Sequence, residues 1–181
     1  MRPRQPQSLP RLWLFTDERV NDDALLAAIR RLPKGSGVVF RHYGLVSTER
    51  RALFRRIEML AHRRDIVPLL AGQEAFGRGV SGRHNPAKPG RHTGLATYAA
   101  HNAREIAQAN QRGADLIFLS PVFPTRSHPG APTLGPMRFA ALARLSRCPV
   151  IALGGMNASR FRRLKPLGAY GWAAIDALMN V

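Results

Sequence analysis

A chain of 181 residues, 45% of them hydrophobic, is long enough for one domain with a real core. No stretch approaches about 18 uninterrupted apolar residues, so nothing is expected to cross a membrane. The single cysteine, Cys148, excludes an internal disulfide and a cysteine-based zinc site.

The net charge of +17 comes almost wholly from arginine, 25 Arg against 3 Lys. The arginines are spread over every predicted helix and lack the aromatic interleaving of single-strand binders. They read as a solvated surface whose positive field steers phosphorylated small molecules, and nucleic acid is not the expected partner. Residues 1–10 form a basic, Pro-rich tail with no apolar run of the kind a secretory signal carries. Residues 11–181 read as one domain, and the cytoplasm is the default compartment.

The elements follow in order. Leu12 to Thr16 is a short apolar strand ended by Asp17. Residues 22–32 have helical spacing, with acids first and arginines last, as the helix dipole prefers. Val38 to Phe40 is a second strand. Ser47 and Thr48 are expected to cap a helix to about Arg64, and Ile66 to Leu70 is a third strand. Residues 71–93 are rich in Gly and Pro and leave room only for a very short fourth strand near Val80, with Arg83 to Arg91 as a basic loop.

Regularity returns with a fifth strand, Gly94 to Ala100, ending at His101. Asn102 and Glu105 have capping-box spacing for a helix to Arg112. Leu116 to Leu119 is the sixth strand, followed by a Pro-rich loop to Pro136 and a helix from Met137 to Leu145. Cys148 precedes the seventh strand, Val150 to Leu153, as a buried, inert thiol. Asn157 caps a helix to about Leu167, Gly168 closes it, and Gly171 to Ile175 is the eighth strand. Eight strands with mostly alternating helices predict a TIM-type (β/α)8 barrel, shortened by the helix-poor segment at 71–93. An open doubly wound sheet would need a glycine fingerprint after the first strand, and Thr16-Asp17-Glu18 is not one.

Two runs carry the functional signal. Residues 117–128 and 151–156 are apolar strands that stop abruptly in small, polar or Gly/Pro residues, as buried parallel strands do where they open onto a ligand site. Gly154 and Gly155 would let backbone N–H groups face a phosphate, and the turn near Ile175 and Asp176 would close the same cup. Thr125 and Ser127 present hydroxyls two residues apart, on one side of an extended loop.

These runs fall in register with a known family. Gly113-Ala-Asp-Leu-Ile-Phe-Leu-Ser-Pro-Val-Phe-Pro-Thr125, Pro149-Val-Ile-Ala-Leu-Gly-Gly-Met156 and Gly168-Ala-Tyr-Gly-Trp-Ala-Ala-Ile175 resemble the motifs of the thiamine phosphate synthase/TenI family. The likeness runs from about Tyr98 to Leu178, and the first half agrees in order and pattern only. The Ser127 to Pro132 run also resembles TenI-like domains fused to Nudix hydrolases. The resemblance implies a role in thiamine biosynthesis or salvage, with Thr125, Ser127 and His128 on a thiazole phosphate or pyrophosphate. A homodimer is compatible with it.

The departures are as specific as the likeness. A synthase that expels pyrophosphate needs Mg²⁺ held by carboxylates and cations on the diphosphate. Where the family carries Gln-x-Arg-x-Lys after the second strand, only Arg41 remains of the three. Of the acids after the third and fourth strands, Glu74 alone is left as a candidate metal ligand. Mg²⁺ is therefore expected only if coupling activity is retained. The TenI-type thiazole tautomerases need no metal, and by resemblance His101 occupies the position of their base, a residue type whose pKa lies near working pH. The alternatives left open are a phosphate-ligand binder without catalysis and a basic nucleic-acid binder.

Overall fold

The computed structural model describes residues 8–72, 76, 81–87, 94–126, 130 and 132–179. Its strands are β1 (Leu12–Phe15), β2 (Gly37–Phe40), β3 (Val67–Ala71), β4 (Gly82–His84), β5 (Leu95–Ala100), β6 (Leu116–Leu119), β7 (Val150–Leu153) and β8 (Gly171–Ala174). They pair in parallel and in sequence order, and β8 returns to β1, closing an eight-stranded barrel. The expected TIM-type architecture is therefore present. The helices are α1 (Asp22–Arg31), α2 (Ser47–Arg63), α3 (Ala103–Gln111), α4 (Gly135–Ala143), α5 (Ala158–Leu164) and α6 (Asp176–Met179). Among the described residues no helix separates β3 from β4 or β4 from β5, as the Gly/Pro-rich composition predicts. No helix is long and apolar enough to cross a membrane among them.

Inward-facing side chains alternate along each strand and fill the barrel. Trp13, Phe15 and Phe118 are the bulky members, with edge-to-face contacts of 5.3 Å for Trp13–Phe118 and 4.8 Å for Phe15–Phe118. Small residues on neighbouring strands make room for them. Gly37 lies opposite Trp13, and a Cβ on it would sit 2.1 Å from the indole ring. Gly37→Ala is expected to cost about 2–3 kcal/mol by overpacking, read as a lowered denaturant midpoint at unchanged slope. A second apolar layer packs the outward faces of β1–β3 against α1 and α2, and a third packs β5–β7 against α3–α5.

Several boundaries differ from the sequence reading. The fourth strand is Gly82–His84 rather than a strand near Val80, which lies outside the described residues. Gly82 sets its place, because a Cβ there would lie 2.3 Å from the Leu95 carbonyl oxygen. Ser47 is already helical, so Val46 caps α2 and no side-chain cap bond forms. Gly135, at φ 66°, starts α4 two residues earlier than expected. The helix after Asn157 ends at Leu164 and passes into a 3-10 turn over Lys165–Leu167 that contains Pro166. The short α6 directly after β8 was not anticipated.

Candidate active site

The C-terminal strand ends enclose a cavity of about 1040 Å³. Its floor is aromatic. Phe15 and His84 line it, and each ring of the Phe15, His84 and Phe118 trio contacts the other two edge-on. His84 is buried, and its Nδ1 lies 3.0 Å from Thr97 Oγ1. The Thr97 hydroxyl also lies 3.4 Å from the Arg83 carbonyl oxygen, so it ties His84 to the β4 backbone.

Burial, and secondarily the charge of Arg41, lower the His84 pKa from 6.5 to about 3. The unfolded chain thus binds a proton below about pH 6.5 that the folded chain refuses until about pH 3. This contribution to stability is whole above pH 6.5 and is lost as pH falls, at about 1.4 kcal/mol per unit. Burial lowers the His42 pKa as well, so it acts in the same direction. Urea titrations from pH 7 to pH 4 should show a falling midpoint in the wild type and a flatter profile in His84→Gln. A wild-type midpoint constant over that range would contradict the assignment.

His101 stands at the mouth, exposed, at the end of β5. Two contacts place it. Its backbone N–H donates to Glu105 Oε2 at 2.7 Å, and Glu105 also accepts from the Asn102 side chain, so the expected capping box reaches one residue further back. Its Nδ1 lies 2.7 Å from the Ser120 carbonyl oxygen and 3.4 Å from Ser120 Oγ. A carbonyl only accepts, so Nδ1 carries the proton and Nε2 is the basic nitrogen. That is the tautomer a general base needs.

On the other wall, the loops after β6 and β7 interlock. Val122 N–H donates to the Leu153 carbonyl at 2.9 Å and Phe123 N–H to the Gly154 carbonyl at 3.1 Å. Gly154 and Gly155 have φ of 92° and 60°, and a Cβ on either would meet Pro121 Cα at 2.7 Å or the Pro124 carbonyl at 2.3 Å. Their small size is thus required by loop packing as well as suited to a phosphate. Both glycines line the cavity with Thr125, Arg126, Arg160 and Ile175. Arg160 donates to the Gly155 carbonyl and lies over Phe123, 4.8 Å from the ring centroid.

The remaining expected residues divide. Arg41 lines the cavity, with its Nε donating to the Thr16 carbonyl at 2.9 Å and its guanidinium 3.9 Å from Asp17. The neighbouring His42 is buried, stacked on Phe40 at 4.7 Å with its Nδ1 2.9 Å from Thr16 Oγ1. Ser127, His128 and Glu74 lie outside the described residues.

Mg²⁺ needs several oxygen ligands in one place. Among the described residues no group of three His, Cys, Asp or Glu side chains is placed to hold a metal. The carboxylates on this side are engaged. Asp17 receives Arg19 at 2.6 Å and its pKa falls to about 2, Glu18 accepts from Gly44 N–H at 3.0 Å, and Asp176 pairs with Arg126 at 3.1 Å. Asn85 spends its side-chain oxygen on Ala99 N–H. These residues do not fit the ion.

Sequence reasoning missed His84, Arg126 and Arg160 as cavity residues. A three-residue strand is too short to show alternation, which is why His84 read as part of a loop.

Comparison with known proteins agrees with the barrel and its second half. The family model for thiamine monophosphate synthase matches residues 87–178. Thiamine-phosphate synthase of Salinispora arenicola is 33% identical, covering 96% of this chain and 91% of that one. The enzyme of the same name from Latilactobacillus sakei is 38% identical over 88 residues, 48% of this chain and 38% of that one. Among solved structures, thiamine phosphate pyrophosphorylase of Pyrococcus furiosus superposes with a TM-score of 0.79 at 18% identity, covering 94% of this chain and 88% of that one.

Proposed function

The chain belongs to the thiamine monophosphate synthase family, and from that premise we propose that it binds a thiazole phosphate at the barrel mouth and moves a proton on it with His101, without a metal. The observation that carries this reading is the fixed tautomer of His101. Its Nδ1–H is given to the Ser120 carbonyl, which leaves Nε2 as the unprotonated nitrogen, and His101 lines the same cavity as Arg126, Arg160 and the glycine turn. A neutral imidazole with one free nitrogen can take a proton from a ring carbon and return it to another position. The phosphate is assigned to the Gly154–Gly155 turn, with Thr125 and the cations around it. The aromatic floor suits a planar heterocycle.

The test is hydrogen exchange. A thiazole carboxylate phosphate incubated in deuterated buffer with a chelator should exchange its labile ring-adjacent proton at a rate proportional to protein concentration. No exchange above background, with the ligand shown to bind, would refute the proton-transfer reading.

Coupling is the second reading, and the names of the relatives favour it. The mouth at β2–β4 argues against it, because the groups for a diphosphate and its metal are not assembled among the described residues there.

A further inference from the structure

We propose that the Arg126–Asp176 ion pair is an exchangeable contact that sets phosphate affinity: Asp176 holds Arg126 at the phosphate side, and the ligand's phosphate displaces Asp176 to take the guanidinium. The proposal rests on the reading of the glycine turn as the phosphate side.

Three features carry it. The first is position. Arg126 follows Thr125 in the loop after β6, and Asp176 opens α6 directly after β8. Strand β7 lies between those two strands in the barrel, so the pair bridges from one side of the Gly154–Gly155 turn to the other, and both residues line the cavity.

The second is the looseness of the contact. Arg126 Nε meets Asp176 Oδ2 at 3.1 Å, with side chains 73% and 35% exposed. An exposed pair of this kind is weak and exchanges readily. The other cations here are held differently. Arg19 grips the 11%-exposed Asp17 carboxylate with both Nε and Nη2, at 2.9 and 2.6 Å, while Arg41 and Arg160 donate to backbone carbonyls.

The third is charge. A phosphate monoester carries nearly two negative charges and offers three acceptor oxygens, so it competes better than a carboxylate for a guanidinium fork. A carboxylate at this point also repels any anion entering the turn.

Calorimetry with thiamine phosphate and with inorganic phosphate, on the full chain, tests this through Asp176→Ser, Arg126→Ala and the double variant. Asp176→Ser should bind about two- to fivefold tighter than wild type, the range that release of so exposed a pair can return, and Arg126→Ala at least about fivefold weaker. The gain from Asp176→Ser should shrink when Arg126 is already absent. Binding by Asp176→Ser where the wild type shows none supports the exchange if that gain is lost when Arg126 is also replaced, and overturns it if the gain persists. Unchanged or weaker binding by Asp176→Ser, with wild-type binding intact, overturns the exchange alone. An equal gain in both backgrounds overturns it too, since that is simple repulsion. Failure of every variant to bind either probe overturns both the exchange and the phosphate reading.

Discussion

His101→Ala is expected to slow proton exchange on a thiazole carboxylate phosphate by about 10²–10⁴-fold while leaving ligand affinity nearly unchanged. The split follows from where the residue sits. His101 stands at the end of β5, and the glycine turn that is assigned the phosphate follows β7. Losing the imidazole removes the base and not the anion contacts. Its Nδ1–H bond to the Ser120 carbonyl fixes only the ring, and because Ser120 lines the cavity, water can take the place of the lost donor after truncation. Exchange measured against protein concentration and affinity measured by calorimetry separate the two effects. Equal loss of both would mean that His101 binds or supports the fold instead.

Gly155→Ala is expected to destabilise the protein by about 2–4 kcal/mol and to weaken phosphate-ligand binding by about tenfold or more. The new Cβ would sit at φ 60°, 2.3 Å from the Pro124 carbonyl oxygen and 3.0 Å from Phe123 Cβ. The nearest atom is backbone, so relief requires the β6 and β7 loops to part, and those loops form the phosphate side. Gly168→Ala is the control. Its φ of 99° is also unfavourable for alanine, but its Cβ would meet only Ala143 Cβ, at 3.9 Å. It should cost about 1–2 kcal/mol of strain and leave affinity unchanged. Thermal unfolding and calorimetry on the two variants distinguish packing at the site from backbone strain alone.

The parts of the site that were legible in the sequence are those built by long-enough apolar runs. Strands β5 to β8 each end in a residue whose chemistry is visible at once: His101, the Ser120–Thr125 loop, the glycine pair and Ile175. Their register follows from buried parallel strands, and the family motifs coincide with them. The β4 region was not legible, because Gly82–His84 has no periodicity of its own and is defined by pairing with Leu95–Thr97. His84 then turns inward only because strand alternation carries it there. The partners of the charged residues were hidden for another reason. Arg126 and Asp176 lie 50 positions apart, and only barrel closure puts them together. Asp176, which the sequence places in the turn closing the anion cup, is in the fold half of an ion pair.

This contrast underlies the functional conclusion. The half of the mouth around β5–β8 has His101, the proposed base, and a glycine turn flanked by Arg126 and Arg160. The half around β2–β4 has Arg41 tied to the Thr16 carbonyl, and Asn85 committed to the backbone of β5. Arg50, buried, donates to the Arg41 and Ala71 carbonyls at 2.7 and 2.6 Å, so side-chain cations there serve to join strand ends. This division among the described residues is the basis of the proposal that the site handles a phosphorylated ring and a proton rather than a diphosphate leaving group.

The most direct measurement incubates the protein with both thiamine precursors, the pyrimidine diphosphate and the thiazole phosphate, with and without Mg²⁺, and follows thiamine phosphate over time. The expected result is no product above background in either condition, from a protein that binds the thiazole phosphate. Rapid, Mg²⁺-dependent formation of thiamine phosphate would contradict the account.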